Sequence, residues 1–105
     1  MKYLKLKKQT DFDKLFQKGK RAFSPSLTMI YTPALKTTMG ISVGKRHGKS
    51  VQRNRIKRLI REAFRTQLPL FKRSYKLVFI PKVQDKYDYH IFKRDIQSMI
   101  EKETL

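Results

Sequence analysis

The chain has 105 residues, and its 26 lysines and arginines exceed its 8 aspartates and glutamates, which gives a formal net charge of +18. This length predicts one domain spanning residues 1–105, and the charge favours nucleic acid as the partner. The lack of cysteine excludes disulfides and thiolate metal sites. No stretch resembles a secretory signal or a membrane span, so we expect a soluble cytoplasmic protein.

The first half of the chain predicts a short helix followed by strands. Thr10 and Asp13 have the spacing of a capping box, which indicates a helix start. Residues 27–32 and 39–43 alternate in the way that is typical of half-buried strands. We expect two or three strands between residues 22 and 43.

The second half begins with a basic turn, GKRHGK, after which Ser50 is expected to cap a helix that runs to about Gln67. Residues 75–80 are almost continuously apolar, which predicts a strand buried on both faces. A final helix is expected to start near Asp88, and the last residues are expected to fray. The order predicts an α+β fold, with a small sheet and helices packed on one side of it.

The helix that starts near Ser50 has two opposite faces. Five apolar residues share one side: Ile56, Leu59, Ile60, Ala63 and Phe64. The opposite side carries Asn54, Arg58, Arg61 and Arg65, flanked by Lys57 and Arg55. Only Glu62 offers an i,i+4 partner to this cationic stripe, through Arg58. A stripe of this density repels itself, so it predicts binding to RNA or DNA.

Two further groups of residues bear on function. Three aromatic residues either belong to the core or stack on unpaired bases: Phe12, Phe16 and Tyr31. The eight acids are scattered, and His47 and His90 have no acidic or nucleophilic partner at a motif spacing. We therefore expect no catalytic residue and no metal site in the protein itself.

Two segments resemble a known family. RNRIKRLIREAFR, preceded by GISVGKRHGKSV, resembles the signature region of the protein subunit of bacterial ribonuclease P. LKKQTDFDKLFQKGKR is similar to the opening helix of that family. The resemblance covers about residues 4–100 of the printed sequence.

Three positions depart from the family's pattern. Gly44 stands where the family often has serine, and His47 replaces a frequent aliphatic residue. Ile80, Pro81 and Lys82 replace a more usual Arg-Pro or Arg-Lys-Pro arrangement. The last departure removes an arginine from which a phosphate contact is expected at the end of that strand.

The resemblance implies both a fold and a function. The fold is a mixed four-stranded sheet with three helices in the order α-β-β-β-α-β-α, with a left-handed β-α-β crossover that breaks the usual handedness rule. The implied complex removes the 5′ leader from precursor tRNA, and its RNA subunit performs the catalysis with Mg²⁺. The protein is expected to bind the leader and to stabilise the active RNA conformation.

The same resemblance assigns residues to two RNA partners. A cleft for the precursor-tRNA leader is expected to contain Phe12, Phe16, Tyr31, Arg53, Asn54, Lys57 and Arg61. The RNA subunit is expected to contact Lys45, Arg46, Arg55, Arg58 and Arg65. Two other classes remain open from the residues alone: a ribosomal-type structural RNA-binding protein, and a helix-turn-helix DNA binder, which the strand over residues 39–43 disfavours.

Overall fold

Five strands and three helices make up residues 2–105, the part of the chain that the computed structural model describes. The strands are β1 (Leu4–Lys5), β2 (Lys20–Phe23), β3 (Leu27–Pro33), β4 (Thr38–Ile41) and β5 (Tyr75–Pro81). The helices are α1 (Gln9–Lys18), α2 (Ser50–Gln67) and α3 (Tyr89–Lys102), with short 3₁₀ turns at Lys45–His47 and Leu68–Leu70. The predicted α+β class with three helices is confirmed.

The strands form one mixed sheet in the spatial order β1-β4-β5-β3-β2. The central pair is β3 and β5, which are antiparallel along their whole lengths. On one side β2 adds to β3 as an antiparallel hairpin, and on the other β4 lies parallel to β5. Because parallel neighbours need a crossover, α2 connects β4 to β5 as the predicted β-α-β unit. The left-handedness of this unit stays a prediction.

The sheet has one more strand than the predicted four. Leu4 donates its backbone N–H to the carbonyl of Thr37 at 2.8 Å, and Leu6 donates to that of Met39 at 3.0 Å. These bonds place β1 parallel to β4 at the sheet edge. A two-residue strand carries no periodic pattern, so it becomes visible only through its partner strand.

Helices cover both faces of the sheet, so the prediction that they pack on one side was wrong. Alternate residues of β3 and β5 enter two separate cores: Leu77 and Phe79 meet α2 and α3, whereas Ile30 and Val78 meet Leu15 of α1. The two central strands are apolar on both faces, and the second face needs a cover of its own. Helix α1 supplies that cover.

Helix ends also differ in part from the predictions. Residues Lys8 and Lys49 precede α1 and α2, and neither helix has a side-chain cap. Asp88 does cap α3, as predicted, by accepting hydrogen bonds from two backbone N–H groups. The chain end does not fray, because Leu105 is buried and its carbonyl accepts a hydrogen bond from the N–H of Lys72. None of the helices within residues 2–105 has the length and hydropathy that crossing a membrane requires.

Candidate nucleic-acid interface

Helix α2 is held by its apolar side, as the pattern predicts. Ile56, Ile60, Ala63 and Phe64 are fully buried against the sheet and α3, and Leu59 is partly buried there. This packing turns the cationic stripe outward. Asn54, Arg58 and Arg65 are exposed, while Lys57 and Arg61 are half-buried at the margin of a groove.

The groove lies where α1, the edge of the sheet and α2 meet, and we call it the α1–α2 groove. Its cavity volume is about 620 Å³. The first strand and its flank contribute Tyr3, Lys5 and Leu6; β4 contributes Met39, Gly40 and Ile41; α1 contributes Phe12; and α2 contributes Asn54, Lys57, Arg58 and Arg61. The groove therefore combines two aromatic residues, a strand edge and four cations.

The wall between α1 and β4 depends on a glycine. A Cβ built on Gly40 would stand 2.7 Å from Cζ of Phe12 and 3.0 Å from Cβ of Leu6. Real Cβ atoms do not approach other heavy atoms so closely, so only glycine lets the Phe12 ring lie against β4. The ring remains half-buried, with one part in the core beneath α1 and another part at the groove.

All the charged residues that line the groove are cations. Lys5, Lys57, Arg58 and Arg61 line it, and no acidic residue does. Within residues 2–105 the ion pairs are Lys76 with Asp11 and Arg94 with Asp95, so the groove cations have no acidic side chain within 4.0 Å. Glu62 does not pair with Arg58 in spite of its helical spacing. The positive charge of the groove is therefore available to an anionic ligand.

Four of the seven predicted leader-binding residues meet in this groove: Phe12, Asn54, Lys57 and Arg61. Phe16 is half-buried beneath the next turn of α1 and does not line the cavity. Arg53 also lies outside the lining, where its guanidinium donates to Oγ of Ser50 at 3.1 Å.

Tyr31, which was also predicted to lie in the leader cleft, does not line the α1–α2 groove. Tyr31 is only 5% exposed and faces α3, where its hydroxyl donates to Oε1 of Glu103 at 2.7 Å. Its neighbour Ile30 is the residue that faces α1. Because successive strand residues point to opposite faces, a shift of one position exchanges the faces.

The residues predicted to bind the RNA subunit are exposed on two elements. Lys45 and Arg46 lie on the 3₁₀ turn before α2, and Arg55 lies near the start of α2. Arg58 lines the α1–α2 groove, a placement that the sequence reading missed. Arg65 lines a smaller hollow of about 230 Å³ that adjoins the groove along α2.

Other residues of the groove were also not predicted from the sequence as site residues. Tyr3 and Lys5 come from a segment too short for a periodic pattern, and Met39 and Ile41 were read only as strand residues. Gly40 did carry a signal, because an isolated glycine inside a strand pattern often marks a close approach of another group.

Several of the acids stabilise the fold, and none lines the α1–α2 groove. Asp13 accepts from Gln9, Asp88 caps α3, and Asp95 accepts from the backbone N–H and hydroxyl of Ser26. Within residues 2–105, no three His, Asp or Glu side chains are clustered to hold a metal ion. Mg²⁺ prefers carboxylate and phosphate oxygens, so the residues of the groove do not fit it.

Comparisons with known proteins agree with one another. The family model described as Ribonuclease P matches residues 1–104. The ribonuclease P protein component of Caldanaerobacter subterraneus subsp. tengcongensis is 36% identical over 107 residues, which cover 99% of this chain and 92% of that protein. The ribonuclease P protein component of Clostridioides difficile is 41% identical over 85 residues, which cover 77% of this chain and 74% of that protein.

Solved structures show the same fold. The RNase P protein of Staphylococcus aureus superposes with a TM-score of 0.82 at 24% identity, covering 97% of this chain and 96% of that chain. The RNase P protein of Thermotoga maritima also gives a TM-score of 0.82, at 22% identity, covering 93% of this chain and 96% of that chain.

Proposed function

Since this chain belongs to the ribonuclease P protein family, it is a protein component of ribonuclease P, and we propose that its α1–α2 groove binds the single-stranded 5′ leader of precursor tRNA. The observation that carries the proposal is the composition of the groove. It joins the half-buried ring of Phe12 to four cations without an acidic partner. Proteins that bind single-stranded RNA combine aromatic stacking surfaces with a cationic channel in this way.

Each part of the groove has a separate task in this proposal. Lys57, Arg58 and Arg61 neutralise leader phosphates, and the release of counterions favours binding. The edge or face of the Phe12 ring can contact an unpaired base. A base held in a duplex cannot reach this ring. The amide of Asn54 can both donate and accept hydrogen bonds at a base edge or ribose. The groove therefore favours a flexible single strand over a duplex.

We further propose that the protein binds and that the RNA subunit catalyses. The α1–α2 groove is lined by no carboxylate and no imidazole, the groups that most often act as general acid or base near neutral pH. The Mg²⁺ required for leader removal is held mainly by the RNA subunit in this proposal. The exposed cations on the turn and on α2, Lys45, Arg46, Arg55 and Arg65, bind that RNA.

The test is carried out on the assembled complex of protein and RNA subunit. Affinities for precursor tRNA and for mature tRNA are measured with the wild-type protein, with Lys57→Ala and with Lys36→Ala. Lys36 is exposed and lies outside the groove, so it is a matched control for the loss of one charge. We expect Lys57→Ala to lower the preference for precursor tRNA several-fold and Lys36→Ala to leave it unchanged.

A second variant distinguishes the contribution of the Phe12 ring to RNA binding from its contribution to packing. Phe12→Leu keeps an apolar side chain against Leu6 and Gly40 but removes the aromatic face. If a base stacks on Phe12, the loss is about 1–3 kcal/mol of leader-dependent affinity. Wild-type discrimination by folded Phe12→Leu and Lys57→Ala proteins would contradict the proposed leader groove.

A further inference from the structure

A second basic groove lies at the opposite edge of the sheet from the α1–α2 groove. Its cavity volume is about 560 Å³, close to that of the first. Its walls include Lys18 at the end of α1, Lys20 on β2, and the turn residues Lys72 and Arg73 before β5. Because β1 and β2 are the two outer strands, a ligand in one groove leaves the other free.

The charge in this second groove is not neutralised by the protein. Four exposed cations face one lining carboxylate, that of Glu103. Glu103 accepts a hydrogen bond from Tyr31 and has no lysine or arginine of residues 2–105 within 4.0 Å. The fold thus keeps four cations together around a cavity that holds one carboxylate, a cost in self-repulsion that an anionic ligand would lower.

The aromatic residues distinguish the two grooves. Tyr31 and Tyr75 line the second groove, but they are only 5% and 7% exposed and pack edge to face at 5.9 Å. No ring is therefore offered to an unpaired base. A groove that presents charge without a stacking surface suits the phosphodiester backbone of folded RNA.

We propose that the second groove, formed by Lys18, Lys20, Lys72 and Arg73, is a binding site for the phosphodiester backbone of the RNA subunit. Lys72 and Arg73 follow the end of α2, and α2 carries Arg55 and Arg65, which we assign to the same RNA. The inference rests on the proposed function, because it takes the RNA subunit as the partner. It adds a contact at the β2 edge that the α2 residues cannot supply.

The experiment compares two double variants of equal charge. Lys20→Ala/Arg73→Ala removes two cations from the second groove, and Lys36→Ala/Lys86→Ala removes two exposed cations that line neither groove. Affinity for the RNA subunit is measured as a function of salt, and circular dichroism checks folding. We expect at least tenfold weaker binding at moderate salt for the groove variant. The slope of the logarithm of affinity against the logarithm of salt should also fall by about one to two.

Comparison with the control variant Lys36→Ala/Lys86→Ala tests whether the second groove binds the RNA subunit. If both double variants bind the RNA subunit equally well, the second groove is not a site for it. If the groove variant binds the RNA subunit normally but its assembled complex binds mature tRNA more weakly, the groove holds the tRNA body and the proposal is overturned. Failure of the wild-type protein to bind the RNA subunit would instead contradict the proposed function itself.

Discussion

His47 connects the basic turn before α2 to the end of β5, because its Nε2 lies 2.7 Å from the carbonyl oxygen of Pro81. The other ring nitrogen, Nδ1, accepts a hydrogen bond from the backbone N–H of Gly44 at 3.0 Å. With Nδ1 as acceptor, Nε2 carries the proton and donates to Pro81. Gly44, His47 and Pro81 are thus joined in one hydrogen-bonded unit.

We therefore predict that His47→Leu loosens the turn that carries Lys45 and Arg46. The two hydrogen bonds are lost, and the free energy of unfolding should fall by about 1 kcal/mol. Urea denaturation measures this change, and affinity for the RNA subunit should weaken in parallel. His90→Leu is the control, since the His90 side chain is exposed and makes no such link. Equal stability of the two variants would contradict the role of His47.

Gly40→Ala should disturb the α1–α2 groove through Phe12. The added Cβ would meet the ring at 2.7 Å, so the ring or β4 must move, at a cost of about 1–3 kcal/mol in unfolding free energy. We also expect a weaker preference for precursor over mature tRNA. Gly44→Ala adds the same methyl group where nothing lies within 4 Å and should change neither quantity. A fully stable Gly40→Ala protein would show that Phe12 does not depend on the glycine.

We predict that the protein loses folding stability in alkali when Tyr31 is deprotonated. Burial, followed by its hydrogen bond to the carboxylate of Glu103, raises the pKa of Tyr31 from 10.0 to about 12. The folded state thus favours the neutral hydroxyl, and this stabilisation is complete below pH 10 and is lost as the pH rises to about 12. Urea titrations across this range should show a shallower decline for Tyr31→Phe than for the wild type. Parallel declines would disprove the contribution of Tyr31.

Asp95 should contribute strongly to stability although it lines neither groove. Its Oδ2 accepts from the backbone N–H of Ser26 at 3.0 Å and from the Ser26 hydroxyl at 2.5 Å, and both residues are buried. Asp95→Ala leaves two buried donors without an acceptor and should cost about 2–3 kcal/mol of unfolding free energy. Asp95→Asn retains one acceptor and should cost less. The prediction fails if Asp95→Ala unfolds at the wild-type urea concentration.

Much of the fold follows from local patterns in the chain. The alternation before Pro33 predicts β3, the apolar run before Pro81 predicts β5, and the opposite faces of residues 50–67 predict α2 and its exposed cations. These elements are long enough for a period of 2.0 or 3.6 residues to be read. The strand β1 is too short for such a period, and only hydrogen bonds to β4 reveal it.

The candidate site could be predicted only in part. Asn54, Lys57 and Arg61 share one side of a single helix, so their proximity follows from helical geometry. Phe12 joins them through the tertiary fold, because α1 crosses the face of the sheet that α2 does not cover. Tyr31 was assigned to the cleft by the resemblance, and only the structure shows that Ile30, not Tyr31, is the residue of β3 that faces α1.

The sequence by itself determined the class of ligand and the surface of α2, because net charge and helical period depend only on residue types and spacing. The tertiary structure decided which residues from separate elements share a groove, since that depends on the face to which α1 packs and on the partners of β1. Gly40 shows the difference. In the sequence it is only a small residue, whereas in the structure its lack of a side chain makes room for the ring of Phe12. Contacts between elements far apart in the chain carry no local pattern, and both grooves are built from such contacts.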